Sequence, residues 1–461
     1  MPDANAAAHP KLLHCPTCLL KLGVDEAGAK CPECRRQGAT ADGIPVLCDD
    51  PASMLEDWGR QRAAFVVDTR ATADAVLAQL AGQDLHERTR ARLELVYDRM
   101  VKHGAQLDAL FEGAGVASVK EKLSLEGRVP GEGVATAYFD QVHRDWGWNG
   151  TSEEPAAALE AVMAVAGEER PATMLVLGAG ACRLPYDLHR ALGVTTTIAV
   201  DINPVPFFIA RRVIQGQTVE MIEFPRSPRD SAQAAVDRTL RCPDAGAEGF
   251  HFLFADGLAP PVPDGAFDAV FTPWFIDQVP KDLRTLLPEI HRMLSPGGVW
   301  INHGPLLFHP SHTQPSARYR EDELYALMAE AGFEIDAKRW DRLLYMQSPA
   351  GSQGRTEGVL SFAARRVEVV EAQSEADDGR PAWLEDPALP IPRWAGLDGY
   401  TPPHPMFAAV ASLVDGTRSA SVIADEMVRR FNLPEAAALG GVMTCLTEMW
   451  RARHANVPGS S

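Results

Sequence analysis

Apolar residues change their spacing twice along this chain. From Met54 to about Phe111 they recur every three or four positions, as in LEDWGRQRAAFVVDTRATADAVLAQL and HERTRARLELVYDRMVKHGAQLDALF, with many charges four residues apart. That period predicts amphipathic helices supported by i,i+4 ion pairs. Glycine and proline then cluster in GRVPGEGVA and mark a break, and a further helix is expected from Ala156 to Ala166. From Pro171 the pattern becomes short apolar runs separated by helical stretches. TMLVLGAG, TTTIAVDIN, FHFLFADG, FDAVFTPWFI and GGVWINHGP read as strands; LPYDLHRALG and LRTLLPEIHRML read as helices between them. Strands alternating with helices predict an α/β fold with a doubly wound, Rossmann-like sheet.

Other segments depart from this rhythm. The stretch 215–248 carries Pro225, Pro228 and Pro243, is mostly polar, and reads as a partly helical insertion. Residues 367–404 are acidic and then proline-rich, which suits a linker, and 405–461 reads as a small helical domain with turns at DGTRS and NLPE. The expected organisation is therefore a cysteine-rich module (1–50), a helical segment (51–134), the α/β domain (135–366), the linker and the C-terminal domain.

Composition narrows the class. The 461 residues are 46% hydrophobic and 23% charged, a globular balance that exceeds one ordinary domain. A formal net charge of −18 argues against bulk nucleic-acid binding. No apolar run is long enough to predict a membrane span, and the first residues do not read as a signal peptide. Half of the eight cysteines crowd into Cys15-x2-Cys18 and Cys31-x2-Cys34, with twelve residues between the pairs. Four thiolates so spaced predict a tetrahedral structural zinc site; with the remaining cysteines scattered, a reducing, cytoplasmic setting is expected.

Candidate chemistry starts at Gly178-Ala179-Gly180, which follows the first apolar run. Glycines there allow a tight turn and close approach of backbone to a ligand, and the helix that follows presents its N-terminal amides. Asp201 ends the next run about twenty residues on, where a carboxylate can accept both ribose hydroxyls. A dinucleotide loop, a methyl-donor loop and a plain strand-to-helix turn all remain open on these residues, although Arg183 stands where a dinucleotide loop needs its third glycine. Asp256 ends the third run and could hold an adenine amino group or cap a helix.

Three segments resemble the carnosine N-methyltransferase family: Gln141-Val142-His143-Arg144-Asp145-Trp146, Phe275-Ile276-Asp277, and GGVWINHGPLLFH at 297–309. The LSPGG turn at 294–298 is also common in class I methyltransferases. The resemblance implies S-adenosylmethionine as cofactor, with Gln141 and Arg144 at its carboxylate and Gly178, Ala179, Gly180, Asp201 and Asp256 around the rest. It implies methylation of an imidazole nitrogen in a small histidine-type molecule or peptide. Asp277 would be the catalytic residue, accepting the ring N–H so that the other nitrogen's lone pair faces the methyl group. His309 and Tyr345 would contact substrate. The family usually has glutamate at Asp201, glycine at Cys182 and an apolar residue at His303, and the stretch PAGSQGRTEGVL lacks its tyrosine-rich sequence. The C-terminal LVDGTRSASVIADEMVRRF resembles the peptide-binding domain of pyrroloquinoline quinone biosynthesis, which implies docking of a peptide or protein partner. The expectation is thus a small-molecule or peptide N-methyltransferase, against a macromolecule-modifying methyltransferase or an adaptor that binds the cofactor without catalysis.

Overall fold

A computed structural model describes residues 12–15, 21–25, 28–33, 35, 38–48, 50–82, 84–119, 139–168, 170–246, 248–279, 281–308, 313–367, 382–393, 405–431 and 435–454. Cys18, Cys34 and His309 lie outside the described residues. The chain forms two compact units, Met1–Val369 and Val370–Ser461.

The first unit opens with four short strands, β1 (Gly23–Asp25), β2 (Gly28–Lys30), β3 (Ala39–Ala41) and β4 (Ile44–Val46). Two long helices follow, α1 (Pro51–Gly82) and α2 (Glu87–Gly113). A single helical turn, α3 (Phe139–Val142), leads into a π-helical turn at His143–Gly147 and then α4 (Glu154–Ala166). The α/β region runs β5 (Thr173–Leu177), α5 (Arg183–Leu192), β6 (Thr196–Asp201), α6 (Pro204–Ile214), β7 (Val219–Glu223), β8 (Val236–Leu240), β9 (Phe250–Phe254) and β10 (Phe267–Pro273). It ends with α7 (Leu283–Met293), β11 (Leu294–Gly304), α8 (Glu321–Glu330), β12 (Phe333–Tyr345) and β13 (Arg355–Arg366).

Nine strands form one sheet in the order β12-β13-β11-β10-β5-β6-β9-β4-β3. The five central strands, from β9 to β11, are parallel; β13 is antiparallel to β11 and β12 to β13. This is the expected doubly wound sheet in the class I methyltransferase order. Successive residues of β5 bury opposite faces: Met174 and Val176 join one apolar core, Leu175 and Leu177 the other. A strand covered on both faces has no polar side to show, which is why it reads as an unbroken apolar run. Burying each such side chain contributes roughly 1.5–3 kcal/mol. The chain order reverses between β5 and β10, so ligands are expected at the carboxyl ends of these two strands.

Three expectations need correction. The insertion is not partly helical: β7 and β8 pair as an antiparallel hairpin, with one short 3-10 turn at Ser231–Gln233. Its buried apolar residues are few, chiefly Met221, Ile222 and Leu240, so the apolar content of the segment is low. The cysteine-rich segment does not stand apart from the α/β domain. β4 pairs with β9, and Leu13, Cys15, Leu22, Cys31 and Leu47 share an apolar cluster with the sheet. Finally, part of the stretch read as linker packs into the C-terminal unit: Trp383, on α9 (Ala382–Glu385), and Ile391 are buried there. They share that core with α10 (Pro405–Leu413), α11 (Ala420–Phe431) and α12 (Glu435–His454). Among the described residues no helix is long and apolar enough to cross a membrane.

Candidate active site

The carboxyl ends of β5, β6, β9, β10 and β11 open onto a cavity of about 1070 Å³. Its floor is the loop after β5. Gly178 has φ +68°, and a Cβ placed on it would lie 2.4 Å from Phe275 Cδ2, so backbone and ring pack as closely as a glycine permits. Ala179 is buried in this loop, and Gly180 also has a left-handed backbone. Asp201, at the end of β6, accepts from Gly180 N at 2.7 Å through Oδ2 and from Asn203 N at 2.7 Å through Oδ1. Burial pushes its carboxyl up, and these backbone N–H groups oppose the rise. Asp256 is exposed, lines the cavity, and accepts from Leu258 N at 2.9 Å.

Gln141 and Arg144 reach the cavity from the far side of the loop, placed by α3 and the π-helical turn. Arg144 donates from Nε to buried Asp145 at 2.6 Å and lies 5.9 Å from the centre of the Tyr345 ring. The turn is tied to the loop region twice. Trp146 Nε1 donates to Ala181 O at 2.8 Å, and Arg183 donates to Asp145 O and Asn149 Oδ1, each at 3.1 Å. Arg183, the residue that breaks a three-glycine pattern, is thus the clamp between π turn and α5. Cys182 sits at φ +62°. A left-handed residue with a side chain is strained by roughly 1–2 kcal/mol.

The other end of the cavity is formed by Trp274, Phe275, Gln278, His303, Leu307, Tyr345 and Arg355. Trp274 has φ +50° and stacks on Tyr345 at 4.4 Å between ring centres, while Arg355 covers Tyr345 at 4.6 Å. Asp277 is fully buried directly behind this wall. Its Oδ2 accepts from Leu307 N at 3.0 Å and Gln278 Nε2 at 3.1 Å, whereas Oδ1 has no partner among the described residues. Burial raises the Asp277 carboxyl to about 6 against those hydrogen bonds. The structure therefore brings Gln141, Arg144, Gly178, Ala179, Gly180, Asp201, Asp256 and Tyr345 to one cavity and sets Asp277 just behind its wall.

Several cavity residues were not legible from sequence. Met54, Asp57 and Trp58 of α1 line the same space, with Trp58 packed on Phe254 at 4.6 Å. Ile202 lines it too and is 55% exposed, an unusual position for an isoleucine directly after a candidate ribose-binding aspartate. Trp274 carried a usable signal, because a large aromatic between a buried strand and an acidic residue stands at a sheet's carboxyl edge. Cys15 and Cys31 are buried; among the described residues no group of three or more histidine, cysteine or acidic side chains is placed to hold a metal.

Residues 245–355 match the family model described as carnosine N-methyltransferase. A curated relative, carnosine N-methyltransferase unmet of Drosophila melanogaster, is 26% identical over 299 residues, 59% of this chain and 62% of the relative. The carnosine N-methyltransferase of Dictyostelium discoideum is 34% identical over 74 residues, 16% of each chain. The chain thus spans less than two thirds of the length of these relatives. Among solved structures, a possible histamine N-methyltransferase of Thermotoga maritima is 18% identical, with a TM-score of 0.30, over 50% of this chain and 94% of that one. A methyltransferase of Methanosarcina mazei that depends on S-adenosylmethionine is 17% identical, with a TM-score of 0.30, over 43% of this chain and 94% of that one. The family match spans Trp274, Asp277, His303 and Tyr345 and leaves Gln141, Arg144, the 178–180 loop and Asp201 outside it.

Proposed function

We propose that this protein is an S-adenosylmethionine-dependent N-methyltransferase that methylates an imidazole nitrogen of a histidine-type small molecule or peptide. One observation carries the reading. A single cavity joins a glycine loop and a ribose-type aspartate at one end to an aromatic, polar wall within the family-matched segment at the other. At about 1070 Å³ it has room for a nucleoside-sized cofactor and a small acceptor together.

The residues present fit the cofactor. The close Gly178–Phe275 contact leaves bare backbone facing the cavity, and Asp201 has a carboxylate beside it for two ribose hydroxyls. Arg144 offers a planar fork to a carboxylate, held in place by Asp145. Bound S-adenosylmethionine would supply an activated methyl group on a sulfonium. The protein's part is then to hold the acceptor in line, which supplies about 7–11 kcal/mol at best. In this reading Asp277 accepts the ring N–H, selects the tautomer, and stabilises the positive charge that grows on the ring. Tyr345 and Trp274 form the aromatic wall, and His309 completes the acceptor site.

Two finer assignments follow. Cys15, Cys18, Cys31 and Cys34 hold a structural zinc; the burial of Cys15 and Cys31 in one apolar cluster supports this, and metal analysis of the purified protein should give one zinc per chain. A peptide acceptor is the second reading. It is favoured by a groove along Leu307, Trp340 and Gly358 that shares Pro305 and Leu307 with the main cavity.

Titration calorimetry with S-adenosylhomocysteine tests the cofactor reading; no binding at high micromolar ligand removes the whole proposal. Incubation with histidine, histidine dipeptides and histidine-bearing peptides, followed by mass spectrometry, should show a gain of one methyl. Failure of every one of them removes the acceptor class and leaves the cofactor assignment standing.

A further inference from the structure

His303 has a burial and hydrogen-bond pattern that neither the fold nor the roles above account for. It lies near the end of β11, opposite Pro273 of β10 and Ser361 of β13. The side chain is fully buried, yet it contributes to the cavity lining. Its Nδ1 is 2.9 Å from Ser361 Oγ. Its Nε2 is buried and has no partner among the described residues. Leaving a buried polar atom unpaired is unfavourable, and such an atom beside a cavity calls for a ligand.

The surroundings hold the ring in place. His303 O accepts from Trp274 N at 2.7 Å, and the two rings meet edge to face at 6.4 Å. The next residue, Gly304, lies so close that a Cβ there would come within 3.1 Å of Trp274 Cα. The ring is therefore clamped between β10 and β13 and cannot turn away to find another partner. Ser361 occupies the Nδ1 side, while Arg144 lines the cavity, and its positive charge acts on His303 more strongly than the opposing negative charge of Asp341. A cation on the cavity side favours the tautomer that keeps a lone pair there. Nδ1–H then donates to Ser361 Oγ, and Nε2 keeps the lone pair as an acceptor.

We propose that His303 positions the methyl acceptor: its Nε2 receives a hydrogen bond from a neutral amide N–H that flanks the acceptor's reactive ring. This rests on the functional reading above and deepens it by naming a substrate feature. Asp277 Oδ1, behind the cavity wall, and Asp341 Oδ2 are further buried acceptor atoms with no partner among the described residues. A ring N–H satisfies Asp277, so His303 needs a second donor. Arg144 disfavours an ammonium there, which leaves an uncharged N–H. An acylated histidine, or a histidine inside a peptide, has that donor; free imidazole does not.

The test compares two acceptors, an Nα-acyl-histidine and its analogue with the amide nitrogen methylated. Binding of each to the protein loaded with S-adenosylhomocysteine is measured by calorimetry, without turnover. Wild type should favour the N–H compound by roughly tenfold, the fold-change of one hydrogen bond. His303→Leu should erase the preference while leaving S-adenosylhomocysteine affinity within error and without lowering the melting temperature. His303→Gln, whose side-chain oxygen can accept, should restore part of it, which a merely structural role would not do. Should His303→Leu fold poorly, Ser361→Ala tests the same tautomer and should shrink the preference. A preference that survives in His303→Leu overturns the proposal, as does a wild type that binds both acceptors equally or neither. Loss of S-adenosylhomocysteine binding by wild type would instead overturn the cofactor reading.

Discussion

Replacing Asp277 with asparagine should make the protein more stable and less active, and the gain in stability should grow with pH. Asp277 is fully buried, and burial raises its carboxyl from 3.8 to about 6. Below pH 4 the carboxyl is protonated in both the folded and the unfolded chain, and the group contributes no pH dependence. Between pH 4 and 6 the unfolded chain releases its proton while the folded chain retains it, so stability falls as pH rises. Above pH 6 the loss is constant, at about 3 kcal/mol for a rise from 3.8 to about 6. Asparagine has the shape of the protonated acid and its oxygen can still accept from Leu307 N and Gln278 Nε2, so it avoids this penalty. Urea unfolding of wild type and Asp277→Asn should give equal midpoints near pH 4 and a variant more stable by about 1–3 kcal/mol at pH 8. The same variant should lose most methyl transfer and bind S-adenosylhomocysteine normally. A stability difference that is flat with pH would refute the buried-carboxylate argument. Full activity would refute the role assigned to Asp277.

Three further outcomes are expected. Gly178→Ala combines a left-handed backbone with a Cβ 2.4 Å from Phe275 Cδ2, so it should destabilise by about 2–5 kcal/mol and weaken S-adenosylhomocysteine at least tenfold; Phe275→Leu in the same chain should recover part of the stability, read by thermal melting. Arg144→Ala should raise the dissociation constant of S-adenosylhomocysteine roughly ten- to hundredfold and leave that of methylthioadenosine, which lacks the amino-acid carboxylate, nearly unchanged in parallel titrations. His103, His143 and His303 are buried with pKa values lowered to about 4, chiefly by burial, so the folded chain binds fewer protons than the unfolded one below pH 6.5. Stability from these groups is present above 6.5 and is lost as pH falls towards 4, by about 1.4 kcal/mol per pH unit for each histidine; urea midpoints at pH 7, 6 and 5 should decline, and less steeply in His303→Leu.

The amount that could be read from sequence followed how each segment is buried. Parallel strands covered on both faces, such as TMLVL and FHFLF, leave an apolar run that no other element imitates at that length. Long helices with one buried stripe, α1 and α2, were legible for the same reason. The hairpin of β7 and β8 was not, because it buries only a few apolar residues and its polar positions resemble a loop. Within the cavity, the glycines and Asp201 stood out because they adjoin strands in sequence. Met54 and Trp58 could not be found that way, since α1 reaches the cavity by tertiary packing across more than a hundred residues of chain. His303 was visible as a residue but not as a site. The alternation along β11 gives it a face, yet burial without a partner depends on Ser361 from β13 and Arg144 from the π turn.

Of the six described residues with side chains and left-handed backbones, Trp274 lines this cavity, and Cys182 and Met346 adjoin lining residues in sequence. Three residues with side chains, Cys182, Trp274 and Met346, hold left-handed backbones at φ +62°, +50° and +54°. Each of these is unfavourable by about 1–3 kcal/mol and persists where neighbours over-determine it. Here the neighbours are identifiable. Gly304 and His303 O fix Trp274, and buried Glu154 accepts from Met346 N and Gln347 N at 2.9 and 2.8 Å. Of the buried acceptor atoms without a partner among the described residues, His303 Nε2 belongs to a lining residue and Asp277 Oδ1 lies behind the wall. A chain shaped for stability alone would relieve such features by turning Cys182 into glycine or His303 into leucine. At Trp274 and His303, which line the cavity, such features are what a site complementary to a ligand requires, because the ligand's donors, and not the protein's own, are the groups that satisfy it.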